Sequence, residues 1–426
     1  MSSPVTFVPP VTPNPAQGVD HSRLGSKQHS DGGWGLVPVQ VRSARFSSFA
    51  LDDFEPVTGQ EVEWKHTPIA RLAPLFGVLD GAIAPLTNVS TSSSAATVEW
   101  VGRHDARIGS AGKPEDRLSA NAWSSFDTAL VITLAGEEAV EVTVTRTDLG
   151  QLARAAHIVI HAKHHSLGTV VLHNSGGAAL AENVEIVLDE GAILTVVTVQ
   201  EWTNDAIHSA SHFSEIGRDA RLKHVVVSLG GSVVRVNPSA HLSSEGGEVE
   251  LLGVYFADTG QHLEQQVFVN HDAPNTKSRV SYKGALQGQG AHTVWVGDVL
   301  IRPTASGTDS YEQNHNLLLT DGARADSIPN LEIETGDIFG AGHASASGRF
   351  DDEQLFYLQC RGIAESEARR LVVRGFLSEI IQKIGAPELE ARLQDAIESE
   401  LLASSEPLAG TVSLASMVDA STKERP

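Results

Sequence analysis

Between Thr128 and about Leu319 the chain is a succession of short β-branched runs: LVITL, VEVTVT, HIVIH, TVVLH, VEIVL, LTVVTV and KHVVVSL. Nearly every run is bounded by Gly, Asp or Asn, which reads as a series of strands separated by turns. The pattern restarts after Glu190-Gly191-Ala192, Arg218-Asp219-Ala220 and Gly246-Gly247-Glu248, and Gly191, Asp219 and Gly247 lie 28 residues apart each time. A unit of that length holds two or three strands and cannot bury its own apolar face, so neighbouring units must stack to make a core. The spacing predicts a β-helix. Propeller blades need four strands and roughly 40–45 residues, which leaves a β-sandwich as the alternative.

The flanks differ. Residues 1–35 are rich in Pro, Ser, Gly and Asn, cannot recover the entropy cost of ordering, and read as a flexible leader. Residues 36–125 form an amino-terminal α/β region in which Pro68 starts a brief helix carrying Ile69, Leu72 and Leu75, and Ser90 to Thr97 reads as a loop. The β region proper is expected over 126–350. Over 351–402 the period changes to that of helices: Ala368, Leu371, Val372, Phe376, Ile380 and Ile384 recur at steps of three or four, Gly385 stops the helix, and Pro387 starts the next. Residues 403–426 read as a frayed tail.

Composition removes whole classes of function. With 31 Lys+Arg against 53 Asp+Glu the net charge is −22, which repels nucleic acid and anionic lipid. No run of 18 apolar residues occurs and the amino terminus lacks a basic stretch followed by an apolar one, so the expectation is a soluble, cytoplasmic protein. A single cysteine, Cys360, excludes an intramolecular disulfide and any metal or iron–sulfur centre ligated by several of the chain's own thiolates. It follows the apolar Leu355-Phe356-Tyr357 and is expected to pack as a small buried hydrophobe, not to act as a ligand.

Fourteen of the 18 histidines fall between His157 and His343. Imidazole is a common metal ligand, but His161, His164 and His165 have no carboxylate nearby in sequence to complete a site, and most of the others read as rim or ladder residues of the coils. Gly112-Lys113 is followed by Pro114, so no phosphate-binding loop is formed, and there is no GxSxG or HExxH. The acidic residues Asp258, Glu264, Asp272, Asp298 and Asp309 are scattered as solvated turns would be, whereas a β-helix carbohydrate-active enzyme needs converging carboxylates.

The segments HDAPNTKSRVSYKGAL, VWVGDVLIRPTASGTDSYEQNHNLLLTDGARADSIPNLEIETGDI and GHASASGRFDDEQLFYLQCRGI resemble the SufB/SufD family, on its SufD side, of the Suf iron–sulfur cluster assembly complex. EVEWKHTPIARL upstream and EARRLVVRGFLSEII downstream are also similar to that family, so the resemblance runs over roughly residues 45–385. It implies a mainly β protein, a right-handed parallel β-helix flanked by small amino- and carboxy-terminal helical parts. It also implies a scaffold, not an enzyme, that pairs with a SufB-like paralogue through the β-helices and supports iron acquisition and cluster formation at their interface. The carboxy-terminal helices are implied to dock SufC, an ABC-type ATPase, with Leu371, Phe376 and Ile380 as the candidate docking residues.

No cofactor is implied to be held by this chain alone; transient iron or an iron–sulfur cluster would be shared with SufB. The family's interfacial imidazole falls on His343, although relatives carry a cysteine shortly before it where this chain has Gly340 or Ala341. Where the SufB-like partner is missing, monomer and homodimer both stay open. The alternatives are a SufB-type scaffold, against which the lone Cys360 argues, and the β-helix carbohydrate-active enzyme.

Overall fold

The computed structural model describes residues 45–349 and 352–403, together with two short strands, β1 (Lys27–Gln28) and β2 (Pro38–Val39). The chain divides into a first unit, Met1–Phe46, and a second, Ser47–Pro426. In the first, β1 and β2 pair antiparallel, Lys27 opposite Val39. The remainder of the expected leader, and the expected tail from residue 404 onward, lie outside the described residues.

The second unit is a parallel β-solenoid of about eight turns, each contributing one strand to each of two nine-stranded sheets. The first sheet contains β3 (Asn88–Thr91), β6 (Val140–Thr147), β8 (Leu167–Gly176), β10 (Ile193–Trp202), β12 (Arg221–Ser228), β14 (Glu248–Ala257), β16 (Lys277–Leu286), β18 (Thr308–Leu318) and β20 (Ile338–Arg349). The second contains β4 (Ala96–Gly102), β5 (Thr128–Leu134), β7 (Ala153–Ala162), β9 (Ala179–Leu188), β11 (Ile207–Ile216), β13 (Val233–Leu242), β15 (His262–His271), β17 (His292–Ile301) and β19 (Arg324–Ile333). Only β3 and β4 run antiparallel to their neighbours, β6 and β5. Ser90, Thr91, Ala96 and Thr97 of the Ser/Thr/Ala stretch expected to be a loop lie in these two strands, and residues 92–95 turn between them. The edges of β5 and β6 offer these four residues backbone partners, and this outweighs their weak strand propensity.

Alternate side chains of both sheets meet inside the solenoid, where Ile132, Val142, Ile158, Val170, Ile186, Val196, Val226, Val236 and Leu251 form one continuous core. The turns that join coils stack as well. His165, Gly191, Asp219, Gly246, Asn275 and Gly307 all have positive φ and follow one another at steps of 26, 28, 27, 29 and 32 residues. Each amide bonds to a carbonyl of the following turn: His165 N–H to Glu190 O at 3.1 Å, Gly191 N–H to Arg218 O at 2.9 Å and Asp219 N–H to Glu245 O at 3.1 Å. Side chain and glycine alternate in this ladder because a Cβ on Gly191 would lie 2.3 Å from His165 Nδ1, and one on Gly246 would lie 2.1 Å from Asp219 Oδ1. The left-handed residue of the third turn is thus Gly246, one before the Gly247 that the 28-residue spacing picks out.

The outer faces are covered by the flanking segments. On the second sheet, the 3-10 helix Ile69–Phe76 and α1 (Arg117–Ser125) place Trp64, Leu72, Leu75, Leu118 and Phe126 over Ala155, Ala181, Ile207 and Val233. Asp116 caps α1, accepting from Ser119 N–H at 2.8 Å. Buried carboxylates fasten this cap. Glu185 accepts from the backbone of Gly109 at 2.8 Å and Ala111 at 3.0 Å, while Arg235 lies 4.1 Å over the Trp64 ring and bridges Asp116 at 2.6 Å and Glu264 at 3.0 Å.

At the other end come α2 (Asp352–Cys360), α3 (Glu365–Ile381) and α4 (Pro387–Ala403). Val373, Leu377, Ile380, Ile381, Ile384, Leu393 and Ile397 bury Val197, Val225, Val227, Leu252, Val254 and Phe256 on the outer face of the first sheet. Gly385, with φ of 79°, turns the chain between α3 and α4, and Glu390 accepts from the Gly385 and Ala386 amides at 2.9 and 3.1 Å to start α4.

Candidate functional site

The solenoid is covered along both faces but not at its carboxy-terminal end. β19 and β20 are the last strands of their sheets, and among the described residues no strand pairs with their far edges. Such an edge is a row of unpaired backbone donors and acceptors. Large apolar side chains stand exposed beside it, with Phe339 89% exposed and Ile333 and Tyr311 also open. His343 lies on β20, itself exposed, in register with Glu312 of β18.

The interior becomes polar as it approaches this end. The buried positions of β18 are Thr308, Ser310, Glu312, Asn314 and Asn316, where earlier coils carry mostly aliphatic residues. Tyr255 Oη donates to Asn316 Oδ1 at 2.7 Å, Asn314 Nδ2 donates to Tyr255 Oη at 2.7 Å, and Asn316 Nδ2 donates to Asn314 Oδ1 at 2.7 Å. Glu312 has no such company: among the described residues no side chain bonds to either carboxylate oxygen, and only the Asn330 backbone approaches it. Burial, with the like charge of Asp298, pushes its carboxyl up to about 8 against a weaker opposing effect of the Asn330 backbone. The Gln265 amide, the Tyr282 hydroxyl and Trp295 Nε1 in the neighbouring coils are equally orphaned. Left in an apolar core each such group costs about 1–3 kcal/mol, so this interior suits water or a polar ligand. An imidazole and a carboxylate side by side are donors that ferrous iron accepts.

The other sequence candidates distribute as follows. On α3, Leu371 is 42% exposed and Phe376 is partly buried with Lys283 Nζ 4.7 Å over its ring, but Ile380 is fully buried against the sheet. Ile380 therefore belongs to the contact with the solenoid and is no free docking residue. Eight apolar residues between 371 and 384 make the stripe too wide to orient from sequence, and the aliphatic outer face of the first sheet selects Val373, Leu377 and Ile381 in place of Leu371 and Phe376. Among the described residues of α2 and α3 the large exposed apolar side chains are Phe356, Tyr357 and Leu371.

Cys360 is exposed, not buried as its apolar neighbours suggest, because α2 turns Leu355 inward and leaves its last turn in solvent. Around His161 and His164 the next coil does bring a carboxylate: Asp189 lies 3.0 Å from His161 Nε2 and 3.9 Å from His164 Nε2. Among the described residues, however, no group of three or more His, Cys, Asp or Glu is arranged to hold a metal ion. Glu264 and Asp298, expected in solvated turns, are buried strand residues. Glu312 escapes a search for motifs: every second residue of TDSYEQNHN faces the core, and those residues are polar, but so are the ones between them.

The family model described as SUF system FeS cluster assembly, SufBD core domain, matches residues 144–376, more than half of the chain. The chain belongs to the SufBD family. An iron-sulfur cluster assembly SufBD family protein of Mycobacterium bovis is 50% identical over 366 residues, covering 84% of this chain and 92% of the relative. One from Mycobacterium leprae is 48% identical over 369 residues, covering 84% and 93%. A second SufBD family protein of Mycobacterium leprae is 30% identical over 201 residues, 47% of this chain and 23% of that protein. Membership assigns the chain to the Suf system of iron–sulfur cluster assembly, and favours an assembly role over the carbohydrate-active alternative. The matched region contains the whole polar end of the solenoid, His343 included. No helix among the described residues is long and apolar enough to cross a membrane.

Proposed function

We propose that this SufBD protein is the SufD-type scaffold of a cytoplasmic iron–sulfur assembly complex, without catalytic activity of its own. In this reading it pairs with a cysteine-bearing SufB-type paralogue through the terminal coil, docks an ABC-type SufC ATPase through its carboxy-terminal helices, and supports iron acquisition and cluster formation at the paired interface. The observation that carries the reading is the uncapped carboxy-terminal end, with two unpaired strand edges, exposed Phe339 and His343 beside a polar interior. A chain with one thiol, exposed on α2, cannot enclose a cluster itself, so ligands from a partner are needed. That Mycobacterium leprae holds two unlike SufBD proteins is consistent with a pair of paralogues. Leu371, Phe356 and Tyr357 form the apolar surface offered to the ATPase, and Phe376 stands at its edge.

Anaerobic affinity purification of the tagged protein from its host tests this. An ABC-type ATPase and a cysteine-bearing SufBD paralogue should co-elute, with iron and sulfide in the complex. In the His343→Ala variant both partners should still co-elute while the iron content falls. Elution of the protein alone, from cells that express those partners, would overturn the reading.

A further inference from the structure

We infer that Glu312 is a second ligand, beside His343, for a divalent transition-metal cation of the ferrous class, held inside the mouth of the terminal coil. The inference deepens the assembly reading and rests on it for the role of His343. Its basis is a single column of inward positions that runs the length of the first sheet. Following the strand register, that column reads Val142, Val170, Val196, His224, Leu251, Val280, Glu312 and His343. Valine or leucine fills the position in five of the six coils before Glu312. The two final residues, at the carboxy-terminal end, are a carboxylate and an imidazole.

Neighbouring strands are about 4.8 Å apart, and residues in parallel register project from the same face of the sheet, so the Glu312 and His343 side chains share one space. Glu312 is fully buried, and only the Asn330 backbone approaches its carboxylate. A valine would satisfy the core there, and among the described residues no side chain pairs with this acid, which suits it to a partner from outside. The second sheet makes room for it: a Cβ on Gly297 would lie 2.4 Å from Glu312 Oε2 and 2.3 Å from Trp295 Cη2. Carboxylate oxygen and imidazole nitrogen together suit iron, cobalt or manganese in the divalent state, with water or a partner chain completing the coordination.

The test uses the full chain under anaerobic conditions with cobalt(II) as probe, read by its visible d–d absorption and by competition with a chelator. Wild type should bind one tight cobalt ion, and Glu312→Gln and His343→Ala should each weaken it about tenfold or more. Glu312→Gln keeps the side-chain shape, and it should melt no lower than wild type, because it removes a buried acid. Binding by Glu312→Gln within twofold of wild type, or no stoichiometric cobalt site in wild type, overturns the inference. Cobalt lost in His343→Ala but kept in Glu312→Gln would remove Glu312 alone. Co-elution of the ATPase and the paralogue with each variant reports separately on the assembly reading.

Discussion

His271 and His212 sit fully inside the solenoid, where the cost of burying charge pushes their imidazoles down to about 3 and about 4 despite the opposing carboxylates of Asp309 and Glu182. His271 is kept neutral among hydroxyls, with Thr276 Oγ1 at 2.8 Å and Ser278 Oγ at 2.9 Å. A histidine whose folded pKa lies below its unfolded value near 6.5 supports the fold above that value, and the support is lost as pH falls toward the folded pKa. Between pH 7.5 and 5 wild type should therefore lose about 2 kcal/mol more than a His271→Gln variant, measured by urea unfolding at both pH values. Equal losses would show that the imidazole takes up no extra proton on unfolding. Glu264 behaves in the opposite sense. Burial pushes its carboxyl up, but the hydrogen bond from His262 and the charge of Arg235 prevail and hold it down to about 2, so its contribution is present above pH 4.5 and is lost only below that. Residues of this kind were hidden in the sequence, since Arg235 meets Glu264 only through the stacking of coils, although His262 stands two residues before Glu264 on one strand. Glu312 was hidden as well, because both alternating faces of TDSYEQNHN are polar and only the stacked sheets decide which one turns inward.

At the scale of elements, strands and turns follow from local text, while the choice of face does not. The β-branched runs and the left-handed turn residues mark the coils because both are set by the backbone of a few residues. The orientation of α3 depends on a surface built more than 110 residues upstream, at Val225 and Val254, and so three consecutive apolar residues, Leu371, Val372 and Val373, could not be sorted in advance. Two variants separate the roles. Ile380→Ala should cost about 2–5 kcal/mol, read as a lowered midpoint in denaturant, because it opens a cavity against the sheet. Leu371→Asp should change stability by no more than about 0.5 kcal/mol yet lose the ATPase in co-purification; retained binding would move the docking surface elsewhere. At the turns, Gly246→Ala forces both a positive φ and a contact with Asp219, and should lower stability by about 1–3 kcal/mol.

Taken whole, the second unit has two helical covers on opposite sheets, and its carboxy-terminal end carries no cover among the described residues. The amino-terminal segments add buried polar anchors, Glu185, Arg235 and Glu264, to their apolar packing on the second sheet, whereas the carboxy-terminal helices hold the first sheet chiefly through aliphatic packing. The uncovered end makes self-association the expected state of the isolated protein. Sedimentation velocity should show a dimer that Phe339→Asp returns to monomer and that an added SufB-type paralogue converts to a mixed pair; a wild-type monomer across micromolar concentrations would argue against the end as a pairing surface.

The turn ladder limits how such a chain can change length. Because side chain and glycine alternate from His165 to Gly307, the true repeat of this edge is two coils, not one. Duplication or loss of a single coil would set two side chains against each other or bring two glycines together, whereas a change by a pair of coils keeps every contact in kind. A shortened variant lacking two whole coils from the middle of the ladder should thus fold, and one lacking a single coil should not, so that along this edge the molecule counts in twos.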